Sequence, residues 1–451
     1  MLGLSMGMIP PAPTERPMPL PAGFNWDSGR FPLAITKSGA GYRWDVDPRS
    51  LVDPLIWSGP AYHVDGDNGD DANSGLGATD GDFSAAKRTI WAAFVAGNAT
   101  GTPYRVLVKA GRFTNSSFTR NGQEEPTQPL AILGWGGAIH YRTGPFSQTW
   151  ADAGGTWTTS QSSVKRVLRT DVLTDQGLYT DLAQVADPAT CAATSDSWCN
   201  DSGTIHVNIG AAPGNEDIAL IRSFHGARFM SHVHDLFLEN SHCEGGISGA
   251  LHLDPAANRN VVAVDCSFRY SAPSNTASPL DAVQMRRTNG LVAFFRCDAS
   301  GGAEDGWSFH EDAHAGMHVI LQDCSGYGNG GVYAAATSCN AVSAHDATRL
   351  IDLSGDYGWS TNGTDIHCVE NSHSWFAGTQ ATARDSDGTS VAFKCSNDSQ
   401  MWLQDTRADA AGAAANYALE VNGAGAVAHT RNHAAIAGDT VTSVGGSVVS
   451  F

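Results

Sequence analysis

The sequence predicts an all-β chain wound as a solenoid of short stacked strands, and three observations carry that expectation. Gly supplies 50 of 451 residues beside a hydrophobic share of 41%, a balance that suits many turns around a continuous core rather than long helices. From about residue 233 short apolar runs recur at a coarse period, with no helical period between them. Units of this kind bury their apolar side only against their neighbours, which makes a solenoid.

The chain divides in order. Residues 1–58 read as an N-terminal extended arm with an anchoring segment. Residues 9 to 22 are proline-rich, which favours a solvated extended chain that docks elsewhere. Residues 23 to 58 hold short aromatic patches at Phe24, Trp26, Tyr42, Trp44 and Trp57. Residues 59–125 read as a cap: a strand at "YHVDG", an Asp/Asn/Gly-rich loop, a short capping helix with Ile90, Ala93 and Phe94 on one face, and the alternating strand Arg105 to Lys109. Asp65, Asp67, Asp70 and Asp71 in that loop are hard oxygen donors for a structural calcium, although EF-hand spacing is missing; a run of Asx turns is the competing reading. Residues 126–431 form the solenoid, with an inserted β-subdomain at about 148–222, and residues 432–451 a C-terminal tail.

The repeat aligns "LENSHCE", "VVAVDCS", "VAFFRCD", "VILQDCS", "RLIDLSG" and "WLQDTRA". The matched positions are Cys243, Cys266, Cys297, Cys324, Leu353 and Thr406, at offsets of 23, 31, 27, 29 and 53 residues, the last spanning two coils with a weak one around "SWFAGTQ". A second strand precedes most of them: "ALHLD", "DAVQM", "DGWSF", "DIHCV", "VAFKC" and "YALEV". Strands so arranged stack in parallel about 4.8 Å apart, and the crossover bias makes the winding right-handed. One cysteine per coil then reads as an interior ladder of reduced thiols rather than a metal site. Cys191 and Cys199 are the one local pair close enough in sequence for a disulfide, and two free thiols fit equally.

A net charge of −19 excludes a nucleic-acid binder, a partner of anionic membranes and a deep cleft for a highly anionic polymer. No apolar run reaches the length that spans a bilayer. The opening residues lack a basic n-region and are broken by prolines, so they do not read as a secretory signal.

The coil pattern, with "YHVDGDNGDDANSG" leading to "VLVKAGRF", resembles the right-handed parallel β-helix of the pectate-lyase-like superfamily over roughly residues 60 to 430. With an arm and a cap it further resembles bacteriophage tailspikes. That resemblance implies a virion tail protein assembled in the host cytoplasm, homotrimeric, attached to other tail proteins through the arm, and recognising host-surface polysaccharide with or without cleaving it. The alternatives are a free polysaccharide-degrading β-helix enzyme and a structural decoration protein that binds no sugar. No cofactor beyond the loop calcium is expected.

Chemistry concentrates in "GGAEDGWSFHEDAHAG", where six of sixteen residues are titratable. Asp281 and Asp305 fall at one coil position a turn apart, with Glu304 beside them. A strand spacing plus side-chain divergence lies within the roughly 5–9.5 Å that separates the carboxyls of glycoside hydrolysis. Repulsion between stacked carboxylates raises one of them towards neutrality, which favours hydrolysis over elimination. His310 and Glu311 are general-base candidates. Arg286, Arg287, Trp307, Tyr327 and Trp359 are candidate substrate contacts, and Tyr333, Trp375 and Trp402 recur along the same coils. Polygalacturonase-type Gly-His-Gly motifs and the basic catalytic group of pectate lyases are absent. Against catalysis, Asp before a strand is a common turn residue and solenoid edges carry charge for solubility.

Overall fold

A computed structural model describes residues 15–39, 41–114, 125–273, 280–331, 338–384, 388–412 and 414–451. The chain is a parallel β-solenoid of about 11 turns, 46% strand and 6% helix. Each full coil has three faces. One face is a nine-stranded parallel sheet from Ala227–Phe229 through Val283–Arg286, Trp307–His310 and Val342–Ala344 to Asp439–Ser443. A second runs from Ala61–Val64 through Leu291–Phe295 and His318–Gln322 to Ser447–Ser450. The third consists of strands as short as Asp298–Ser300 and Ser325–Tyr327. The long strands Tyr104–Thr114 and Leu130–Arg142 each serve the second and third faces in turn.

Strand alternation sends every other side chain inward. Val292, Phe294, Val319, Leu321, Trp307 and Phe309 therefore share one core running the length of the coils. The expected capping helix is Ile90–Asn98, started by the Thr89 side chain, and Ile90, Ala93 and Phe94 close the same core beside Tyr62 and Tyr104.

The bend from second to third face is made by one residue per coil in the left-handed region: Asn240, Asp265, Arg296, Asp323, Ser354, Asp405 and Asn432 have φ of 54°, 53°, 53°, 52°, 61°, 53° and 53°. Asn and Asp tolerate that conformation best among residues with a Cβ, which is why the repeat places them there. The next position is the interior column, and its register corrects the sequence alignment. Cys266, Cys297 and Cys324 do stack, but Cys243 pairs with Phe268 and Leu353 with Gln322. The column therefore continues through Ser241 and Gly355 instead, and the weak coil at "SWFAGTQ" supplies His373–Ala377 and Gln380–Ala383. All nine cysteines, Cys191 and Cys199 included, are buried thiols outside any disulfide.

Residues 151 to 222 leave the solenoid at the corner between third and first faces and build two small, mainly antiparallel sheets. Their cores hold Val167, Trp198, Ile205 and Leu220, while Leu168, Leu178 and Ile221 pack on Tyr270 and Ala272 of the solenoid.

The N-terminal segment corrects an expectation. From Met18 to Trp57 it lies along the outside of the second face, where Phe24, Trp26, Ile35, Tyr42, Trp44 and Ile56 cover Phe237, Val262, Ala293, Phe295, Ile320, Ile351, Trp375 and Trp402. Hydrogen bonds from Tyr42 N–H to Ser354 and from Trp44 N–H to Gln322, both 2.8 Å, fix it there. The aromatic segment thus anchors on its own solenoid, because the second face is apolar on both sides and needs a cover, while Glu15, Arg16, Pro17, Pro19 and Ala22 of the proline-rich run stay exposed.

Candidate functional site

The three faces differ on the outside: the second is sealed by the N-terminal segment, the third is partly covered by the insert, and the first carries polar side chains. Register places Arg228, His252, Gln284, Ser308, Ser343 and His367 in one outward column of the first face. Arg286 pairs with His310 in the next.

Asp281 and Asp305 stand two residues before Val283 and Trp307, which are paired, so they are stacked one coil apart as the repeat implied. Asn340 occupies the following coil. Asp305 Oδ1 accepts from the Asn340 N–H at 2.7 Å and its amide at 3.0 Å, and Oδ2 accepts from Ser343 Oγ at 2.5 Å. Asp281 Oδ1 accepts from the Asp305 N–H at 3.2 Å, and Oδ2 from the Gln284 amide at 3.1 Å. The two carboxylates are only 4% and 5% exposed, so neither opens broadly to solvent. Glu304 is half-buried beside them.

The insert braces this corner from behind. Buried Arg166 forks onto Asp181 at 2.7 and 2.6 Å and donates to the Ser271 and Gly301 carbonyls at 2.8 and 2.6 Å. Those carbonyls belong to the two turns that lead into the Asp281 and Asp305 strands.

Burial, and after it the charge of Asp281, raises Asp305 well above the ordinary carboxylate range. Asp281 is also raised by burial, but the Asp305 N–H, Ser308, Gln284 and Arg286 all favour its ionised form. Glu304 is pushed up to about 7 by burial and then by Asp281. The corner therefore holds carboxyls in different protonation states near neutral pH.

The other expected residues divide. His310 lies on the outer face, its Nε2 3.0 Å from Ser308 Oγ and its ring stacked 4.1 Å from His345, and burial pushes it down to about 3. Arg286 forks onto Asp312 at 3.1 and 3.2 Å, and Arg287 holds Asp254 at 2.6 Å. Glu311 is turned into its own bend, where it accepts from the Gly316 N–H at 2.8 Å.

Trp307 is not a substrate platform: it is fully buried, with Nε1 donating to the Ser325 carbonyl at 2.9 Å. Period-two alternation puts Trp307 and Phe309 inside and Ser308 and His310 outside. Tyr327 and Trp359 form an edge-on pair 6.0 Å apart, reached from the third face. Trp375 and Trp402 are core residues beneath Phe24. Tyr333 lies outside the described residues.

Among the described residues, the loop carboxylates form no group of three whose ligand atoms converge. Asp65 caps the N–H groups of Asp67 and Asn68 and pairs with Lys109 at 2.7 Å, Asp70 caps Ala72, and Asp71 accepts from the Arg88 and Thr89 N–H groups. Asx turns and a lysine thus engage oxygens of Asp65, Asp70 and Asp71.

Sequence reading missed His252, which is 6% exposed with both ring nitrogens lacking a hydrogen-bond partner, and His345 and Asp346. Alternation within "ALHLD" was the available signal for the first. Also missed was a cleft of about 400 Å³ further along the first face, lined by Asn362, Thr364, Thr389, Tyr417 and the Lys394–Glu420 ion pair of 3.1 Å. Thr364 N–H donates to the Asn340 side chain, so the cleft continues the acidic column.

No family model matches the chain, and no curated protein matches it. Two solved structures are similar. One is titled a glycoside hydrolase, at 8% identity and a TM-score of 0.35, covering 86% of this chain and 96% of that one. The other is the tailspike protein gp49 from Pseudomonas phage LKA1, at 10% identity and a TM-score of 0.20, covering 79% of this chain and 76% of that one.

Proposed function

We propose that this β-helix binds a surface polysaccharide along the outside of its first face and hydrolyses it, as a spike of the phage-tail type. The observation that carries the reading is the pair formed by Glu304, pushed up to about 7 by burial and then by Asp281, and Asp281, raised by burial to about 6 against the hydrogen bonds that favour its charge. Glycoside hydrolysis needs one carboxyl to protonate the leaving oxygen and another, ionised, to act as base or nucleophile. Glu304 is the acid in this reading and Asp281 the base or nucleophile. Asp305, saturated by Asn340 and Ser343, positions the pair. The cleft around Tyr417 offers a sugar ring an aromatic face with donors and acceptors, the usual composition of a ligand site.

Attachment through residues 15–58 is not part of the proposal, since they are spent on their own β-helix. A homotrimer is part of it: Ile436, Val444, Val448 and Val449 are exposed at the last coils, at 53%, 73%, 37% and 40%, and a symmetric assembly would cover them.

The test is release of reducing ends from a panel of bacterial capsular and O-antigen polysaccharides. Cleavage of at least one is expected, and Glu304→Gln and Asp281→Asn are each expected to lower its rate roughly 100-fold or more with the folded circular-dichroism signature retained. Full activity in both variants removes the catalytic assignment. Binding without cleavage by the unmodified protein leaves the corner as a structural bracket of a binding spike.

A further inference from the structure

Beyond the acid corner, the first face gathers a second group with different chemistry. His310 ends the strand Trp307–His310, Asp312 follows two residues later, and Asp346 comes from the next coil. Their ligand atoms lie within 4.8 Å of one another, the one such convergence of three groups among the described residues. Each is already held by a further partner. Ser308 Oγ orients the imidazole from 3.0 Å, the Arg286 fork holds Asp312, and the Asp312 N–H fixes Asp346 Oδ2 at 2.7 Å. Glu370 Oε2 lies 2.5 Å from the Asp346 N–H, bringing one more carboxylate from the coil after.

We propose that His310, Asp312 and Asp346 bind a divalent first-row transition ion such as Zn²⁺ or Mn²⁺. An imidazole with two carboxylates suits these ions, whereas calcium sites are built from oxygen alone. Outer partners that orient each ligand are the second half of a metal site's design, and here all three ligands have one. Charge agrees. Arg286 and Arg287 are balanced by Asp254, which they approach to 4.0 and 2.6 Å, and by Asp312, leaving Asp346 and Glu370 to meet the charge of a divalent ion. Three protein donors leave coordination positions for water or a ligand hydroxyl.

This proposal does not depend on the hydrolytic reading, and its test separates the two. EDTA-treated full-length protein is titrated by calorimetry with ZnCl₂, MnCl₂ and CaCl₂. One equivalent of Zn²⁺ or Mn²⁺ is expected to bind more tightly than Ca²⁺, with affinity lowered at least tenfold in His310→Gln and in Asp346→Asn and unchanged in Glu304→Gln. No binding, binding unaltered by both substitutions, or equal affinity for Ca²⁺ overturns the site. If either variant loses its circular-dichroism signature, a zinc-soaked crystal of the unsubstituted protein decides: an anomalous peak between His310, Asp312 and Asp346 supports the site, and no peak there overturns it.

Discussion

At the scale of single residues, the acid corner makes the fold itself sensitive to pH. Glu304, Asp281, Asp305 and, on the second face, Asp352 all have carboxyl pKa values above the ordinary range because burial penalises their charged forms. The folded state therefore holds protons that the unfolded chain releases near pH 4. Stability from these groups is complete below that range and is lost as pH rises through the folded values, up to about 7 for Glu304. Buried histidines such as His252, His310 and His367, pushed down to about 4, 3 and 3, pull the other way. The readout is therefore the thermal midpoint of the unmodified protein relative to Glu304→Gln, which is expected to fall between pH 5 and pH 8. A relative midpoint that stays constant over that range means the Glu304 carboxyl titrates normally. Asp352 shows that a raised carboxyl need not be a site: Tyr357 Oη donates to it at 2.5 Å and Gly355 N–H at 3.0 Å, so it brackets two faces from inside.

At the scale of the element, the coil is set by its corners as much as by its strands. The left-handed residue between second and third faces recurs with little variation in φ while its side chain changes from Asn to Asp, Arg and Ser. What repeats there is a backbone conformation. Asp323 is an exposed member of the series, so a substitution there reads the backbone with little loss of packing. Asp323→Val is expected to cost about 1–2 kcal/mol, since a β-branched side chain resists this region, and Asp323→Asn is expected to be nearly neutral. Equal melting temperatures for the two variants would mean that the corner relaxes without cost. The same corner explains the misaligned cysteine: counting from the apolar run placed Cys243 in the column, whereas counting from Asn240 places Ser241 there.

At the scale of the whole molecule, the N-terminal segment and the insert make the outer faces of the solenoid unlike one another. Trp44 meets Phe295, Trp57 meets Phe237 and Phe24 meets Trp402, so the segment crosses successive coils and ties them together. Removing residues 1–58 uncovers a contiguous apolar surface of the kind that drives aggregation. The truncated chain is expected to be insoluble or to melt well below the full one. Size exclusion with light scattering checks this, the full chain eluting at about three times its 47.3 kDa mass under the trimer proposal. A soluble truncated chain with an unchanged melting temperature would show that the solenoid stands without its cover.

The amino-acid sequence by itself determined the solenoid, because stacking repeats a local rule: the same alternation of apolar residues and the same Asn, Asp or Gly corner recur in coil after coil and can be counted. It also determined that Asp281 and Asp305 stack, since both precede strands of equal phase. Only the tertiary structure decided what lies outside each face. Whether Trp307, Trp375 and Trp402 meet solvent, core or the N-terminal segment depends on contacts between residues hundreds of positions apart, as between Phe24 and Trp402, and local pattern carries no information about them. The third face was equally hidden, because strands of three residues such as Asp298–Ser300 are too short for alternation to register. The meeting of His310 and Asp312 with Asp346 was hidden for a related reason: it depends on how many residues each coil spends between its strands, a length that varies from coil to coil and is set by packing rather than by period.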